Sequence, residues 1–123
     1  MTLPNPYQQY RQIEVETASP GRLVLMLYDA AIKNCRQAAA AWEANNDTLA
    51  RDKLYRAQDI LAELIGSLNF DAGDLPRQLF QLYEYMNYRL IQSVVRKDAA
   101  AALEVAKLLE ELREAWDQAL KVR

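Results

Sequence analysis

Apolar residues recur along most of this chain every three or four positions, the interval that places them on one face of an α-helix. The first series runs Val24, Tyr28, Ala31, Cys35, Ala38, Trp42, an alternation of four and three that belongs to helices packed side by side. Ser19-Pro20 precedes it, an N-cap hydroxyl followed by a proline at the first helical position, where a missing N–H costs little. Asn45-Asn46-Asp47 predicts a turn and offers capping oxygens to a second helix from about Thr48 to Leu68, with the stripe Ala50, Leu54, Ala57, Leu61, Leu64, Leu68. Asn69 to Asp74 is the second turn, with Gly73 supplying backbone freedom and Asp74 expected as a cap. A third helix starts near Leu75-Pro76 and carries Leu79, Tyr83, Met86, Leu90 and Val94. Arg96-Lys97 suits its C-terminus, and Asp98 suits the start of a fourth helix from about Ala99 to Leu120. That helix has the stripe Ala102, Val105, Leu109, Leu112, Trp116, Ala119. Apolar alternation at period two, the mark of a strand, is absent. Short connections set consecutive helices antiparallel. The expected fold class is therefore all-α, an antiparallel up-down four-helix bundle over residues 19–123, with an irregular N-terminal arm over residues 1–18.

A bundle consumes about two to three apolar residues per seven on each helix, and this chain has more. Leu23 to Tyr28 is apolar around the whole circumference; Ile60 and Ile65 flank the second stripe, and Phe80, Leu82, Tyr85, Tyr88 and Ile91 flank the third. Either these positions widen the core, as broad stripes on globular helices do, or they line an apolar groove that takes a partner helix. The residues singled out for such a groove are Leu23, Met26, Leu27, Ile60, Ile65 and Phe80, of which Leu27 and Ile60 fit an ordinary core equally well. Tyr7, Tyr10, Ile13 and Val15 interleave with polar residues in the N-terminal arm and form a candidate movable cover for the groove. Trp42 and Trp116 lie on the stripes and are expected at the bundle ends.

Composition narrows the chemistry. The chain has 123 residues, the size of one domain, and 51% of them are apolar, which argues against global disorder. Histidine is absent, which removes imidazole as a base, a metal ligand or a phosphorelay acceptor, and with it the Glu-x-x-His motifs of di-iron bundles. Cys35 is the one cysteine, so no internal disulfide forms, and it falls in an apolar stripe. The pairs Asp59 with Glu63 and Glu110 with Glu114 read as solvated helix decoration, as does Asp29. No enzymatic activity, metal or cofactor is expected. The net charge is −2 with no basic stripe, which excludes a phosphate-tracking nucleic-acid binder. The longest apolar run is far short of the ~20 residues that cross a bilayer. Met1 to Pro6 shows neither a basic nor an apolar leader pattern, so the expected location is the cytosol.

Several stretches resemble the flagellin export chaperones, the FliS family. They are Tyr7-Gln8-Gln9-Tyr10; Val15-Glu16-Thr17-Ala18-Ser19-Pro20-Gly21-Arg22 continuing through Leu23 to Asp29; Glu63-Leu64 and Ser67-Leu68; Leu79 to Met86; and Leu108 to Trp116. The likeness runs collinearly over nearly the whole chain, and Thr17 to Tyr28 is its most specific part. Ala30 departs from the family's frequent glycine after the acidic residue, and Ala72-Gly73 from its Gly-Gly turn. The resemblance implies a helical bundle that binds the disordered C-terminal segment of newly made flagellin in the cytosol, blocks premature polymerisation and assists delivery to the flagellar type III export gate. It also implies that the N-terminal arm lies near the client groove and moves when the client binds. The expected partner is therefore flagellin, with an export-gate component as a further candidate. The surplus apolar face leaves room for a weak homodimer, and for the alternative of a non-catalytic helical adaptor that binds another helical protein or itself.

Overall fold

A computed structural model describes residues 20–121 as four α-helices: α1 (Pro20–Glu43), α2 (Asp47–Gly66), α3 (Leu75–Arg96) and α4 (Ala99–Lys121), with no strand among the described residues. The helices end where local chemistry stops them. Asn45 takes a left-handed backbone (φ 58°), which asparagine tolerates. Asn46 then caps α2 by accepting a hydrogen bond from the Leu49 N–H at 3.2 Å. α2 stops two residues before the expected Leu68. The Ser67 hydroxyl donates to the Leu64 carbonyl at 2.8 Å and offers the backbone an alternative to further helix. Gly73 (φ 99°) makes the turn into α3. Asp98 caps α4 by accepting from the Ala101 N–H at 3.2 Å.

Asp74 departs from expectation. It occupies the N-cap position of α3 but has helical dihedrals (φ −84°, ψ −23°), and its side chain makes no capping hydrogen bond. A cap normally receives the second or third amide of the helix. Here the second helical residue is Pro76, which has no N–H to give.

The stripes pack as anticipated over most of their length. Tyr28, Ala31, Cys35 and Ala38 of α1, Ala50 to Leu64 of the α2 stripe, Met86 and Leu90 of α3, and Ala102, Val105 and Leu109 of α4 are essentially inaccessible to solvent. α1 lies beside both α2 and α4, and its backbone approaches theirs most closely; α3 closes the ring against α2 and α4. Side-chain size accounts for this asymmetry. α1 presents Ala31, Ala38 and Ala39 to neighbours that offer Ala50, Ala57, Ala102 and Ala106, whereas α3 fills its share with Leu79, Tyr83, Met86 and Leu90. Two stripe assignments are corrected. Ser93 is buried where Val94 was expected and Val94 packs half-buried at its side; Ala119 is exposed because the α4 seam loses cover in its last turns.

One end of the bundle is tied by polar contacts. The Trp42 indole N–H donates to Ser93 Oγ at 3.0 Å, the Ser93 hydroxyl donates to the Asp98 carbonyl at 2.7 Å, and the Arg51 guanidinium lies 5.6 Å from the Trp42 ring centre. Lys97 Nζ sits 2.7 Å from Asp47 Oδ2 and bridges the two turns at that end. Along the sides, Arg36 pairs with Glu110 and Arg113 with Asp29, so Asp29 joins α1 to α4 and is more than solvated decoration. Glu104 of α4 accepts from the Tyr85 hydroxyl at 2.5 Å and from Arg89 Nε at 2.6 Å. Cys35 is sealed in the core, and burial pushes its thiol up to about 12, far from the range in which thiolates react.

Candidate functional site

The opposite end of the bundle is hollow. A cavity of about 220 Å³ lies there between the described helices. α1 supplies Val24, α2 supplies Leu64 and Leu68, the α2–α3 connection supplies Asn69 and Ala72, α3 supplies Leu75, Leu79 and Tyr83, and α4 supplies Trp116. None of the lining residues is charged. The two hydroxyls of Tyr28 and Tyr83 meet at 2.5 Å across the core, linking α1 to the facing α3, and the half-buried Trp116 indole N–H donates to the Tyr28 hydroxyl at 3.0 Å. Burial raises the pKa of both phenols. Both are neutral hydrogen-bonding groups at physiological pH, not acid–base catalysts. Among the described residues there is no cluster of three metal-ligating side chains, and no helix is long and apolar enough to cross a membrane.

The cavity is built from a different set than the residues singled out for a groove. Leu23, Met26 and Leu27 share one face of α1 at spacings of three and four and are half-buried. Leu27, Ile60 and Ile65 pack partly buried against the core. Phe80 is half-buried and meets Phe70 edge-to-face, with ring centres 5.9 Å apart, beside the α2–α3 connection. None of the six lines the cavity. The arm residues Tyr7, Tyr10, Ile13 and Val15 lie outside the described residues. Six of the nine cavity residues named above (Val24, Leu64, Leu68, Leu79, Tyr83 and Trp116) carry a helical seam in the sequence, so they read there as core and not as site. The available signal was positional: all of them fall within about two turns of a helix end that faces the long 69–74 connection.

A separate run of apolar residues is exposed on the outside of α3, toward the tied end. Tyr88, Ile91 and Val95 of α3 follow one another at three and four residues and stand in solvent, Val95 most of all at 74%. Tyr85 and Leu103 are exposed where α3 meets α4 near Glu104.

Comparison with known proteins places this architecture. Residues 3–123 match the family described as "Flagellar protein FliS". The "Flagellar secretion chaperone FliS" of Bacillus subtilis is 37% identical over 121 residues, covering 98% of this chain and 90% of that protein. Its counterpart in Vibrio cholerae is 32% identical over 116 residues, covering 90% and 85%. A solved structure described as "Crystal structure of flagellar chaperone from bacteria" superposes with a TM-score of 0.80 at 22% identity, covering 95% of this chain and 96% of that one, a likeness of fold.

Proposed function

This chain belongs to the FliS family of flagellar secretion chaperones, a family without enzymatic activity, and from that membership we propose that it binds the disordered C-terminal segment of flagellin in the cytosol, prevents premature polymerisation and aids export through the flagellar type III system. The observation that carries this reading is the uncharged end cavity, to which all four helices contribute, together with an apolar stripe on the outer face of α3 toward the tied end. A disordered client loses conformational entropy when it orders on a surface, typically 2–5+ kcal/mol of the gross interaction energy. Burial of apolar area at about 25 cal/mol per Å² offsets that loss only if contact is extended. A cavity for anchoring side chains and a stripe at helical spacing supply two such contacts on different faces of one rigid bundle.

In this reading Leu23, Met26, Leu27, Ile60, Ile65 and Phe80 border the client's path. Residues 1–18 act as a cover, with Tyr7, Tyr10, Ile13 and Val15 seated on apolar surface until the client displaces them. The arm joins α1 at Pro20, about one turn from Val24 at the cavity, so it starts within reach. An export-gate component is the proposed recipient of the loaded complex.

Co-expression with the flagellin of the same organism, followed by size-exclusion chromatography, tests the proposal. A soluble one-to-one complex is expected, lost when the last ~40 residues of flagellin are removed; such a stretch at about 3.3 Å per extended residue is long enough to run along several of these helices. Met26→Glu and Tyr10→Ala should each weaken the complex with helicity intact. Equal binding of intact and truncated flagellin would instead indicate a general helical adaptor.

A further inference from the structure

Three polar hydrogens meet in the core next to the cavity: the indole N–H of Trp116 and the phenolic hydrogens of Tyr28 and Tyr83. Two hydrogen bonds join the three groups, Trp116 to Tyr28 at 3.0 Å and Tyr28 with Tyr83 at 2.5 Å. Each bond uses one hydrogen, so among the described residues one phenolic hydrogen is left over. The indole can only donate, and the surplus therefore belongs to a tyrosine. Were Tyr83 to donate to Tyr28, the spare hydrogen would sit on Tyr28, which has no solvent exposure and does not border the cavity. If Tyr28 donates to Tyr83, the bonds run in one direction, Trp116 to Tyr28 to Tyr83. Each then polarises the next, and the spare hydrogen sits on the phenol that does line the cavity.

We propose that Tyr83 offers this hydrogen to the cavity, and that the cavity is a subsite for an extended peptide, taking one apolar side chain together with the backbone carbonyl beside it. The inference rests on the function proposed above and assigns the occupant to the flagellin segment. The cavity's chemistry selects this class. Its walls are mostly apolar, with Ser67 and Asn69 at the connection, and carry no charge, which disfavours an anion. Its volume of about 220 Å³ lies below the ~300–1,000 Å³ of pockets that take free small ligands. A peptide brings a carbonyl with every residue, and a carbonyl taken out of water needs a donor. Tyr83 supplies one on a rigid helix. A polar hydrogen otherwise left without an acceptor becomes an anchor that an apolar cavity alone would lack.

Calorimetry of the wild type, Tyr83→Phe and Tyr55→Phe against the last ~40 residues of the same organism's flagellin, the span argued from chain reach above, decides the matter. Tyr83→Phe strands the client carbonyl and should weaken binding about tenfold, while Tyr55→Phe removes an exposed phenol of α2 that does not line the cavity and should stay within about twofold. Binding by Tyr83→Phe equal to wild type overturns the subsite but leaves the proposed function standing. Tighter binding by Tyr83→Phe shows that the chain's own residues 1–18 supply the acceptor, and overturns the assignment to the client. No binding by the wild type overturns both. Should Tyr83→Phe fail to fold, the wild type answers by NMR. The Tyr83 hydroxyl hydrogen becomes protected from exchange when the flagellin segment is added, and unchanged exchange overturns the subsite.

Discussion

Ser93 is a polar side chain buried in the core of α3, and both of its hydrogen-bonding roles are used. It accepts from the Trp42 indole and donates to the Asp98 carbonyl. Replacing it with alanine leaves a buried indole N–H and a carbonyl without partners, at a cost of about 1–3 kcal/mol. Urea denaturation of Ser93→Ala should show that loss as a lower midpoint with an unchanged slope. The burial of Ser93 was legible in the sequence by spacing alone. Leu79, Tyr83, Met86, Leu90 and Ser93 continue an unbroken alternation of four and three, which Val94 interrupts. Its hydroxyl argued for the surface, and only the Trp42 ring across the bundle shows why a hydroxyl belongs inside. Cys35 reads correctly from either side, since an apolar stripe predicts a buried thiol and burial holds it protonated.

The helices themselves were legible almost to the residue, because each boundary carries its own chemistry. Asn46, Gly73 and Asp98 do what their side chains or backbone freedom suit them for. Asp74 shows the limit of reading caps by residue type: a proline two positions on removes one of the amides a cap would receive. The two sites separate in a simple experiment. Asn46→Ala should cost about 1 kcal/mol through the lost cap on α2, whereas Asp74→Ala should stay within about 0.5 kcal/mol. Equal losses in chemical denaturation would show that Asp74 contributes something other than a cap bond. The cavity, by contrast, was not legible from any single helix. Val24, Leu64, Leu79 and Trp116 each face inward on their own element, and a void arises only because four helix ends and a connection fail to fill the space between them. Periodicity reports which way a residue faces, not whether anything lies beyond it.

Acid should loosen the whole bundle partly through one carboxylate. The Tyr85 hydroxyl, followed by the Arg89 guanidinium, holds Glu104 below the usual glutamate range in the folded state. A group with a depressed folded pKa contributes stability above its unfolded pKa, and the contribution is lost as pH falls through the folded value. Glu104→Gln should therefore melt below wild type at pH 7, and the two curves should converge as pH drops beneath the ordinary glutamate range. A gap that persists in strong acid would mean that the glutamine disturbs α3–α4 packing and not a charge. Fold class, helix order and family were all carried by the sequence, because helical spacing and the Thr17 to Tyr28 stretch are properties of order along the chain. The relation between the hollow end and the tied end is a property of the closed bundle. It leaves the molecule with two indoles at opposite poles, Trp42 held by a serine and Trp116 bordering an open space. A Trp42→Phe variant therefore keeps a single indole, and its ultraviolet emission reports a guest at the hollow pole alone.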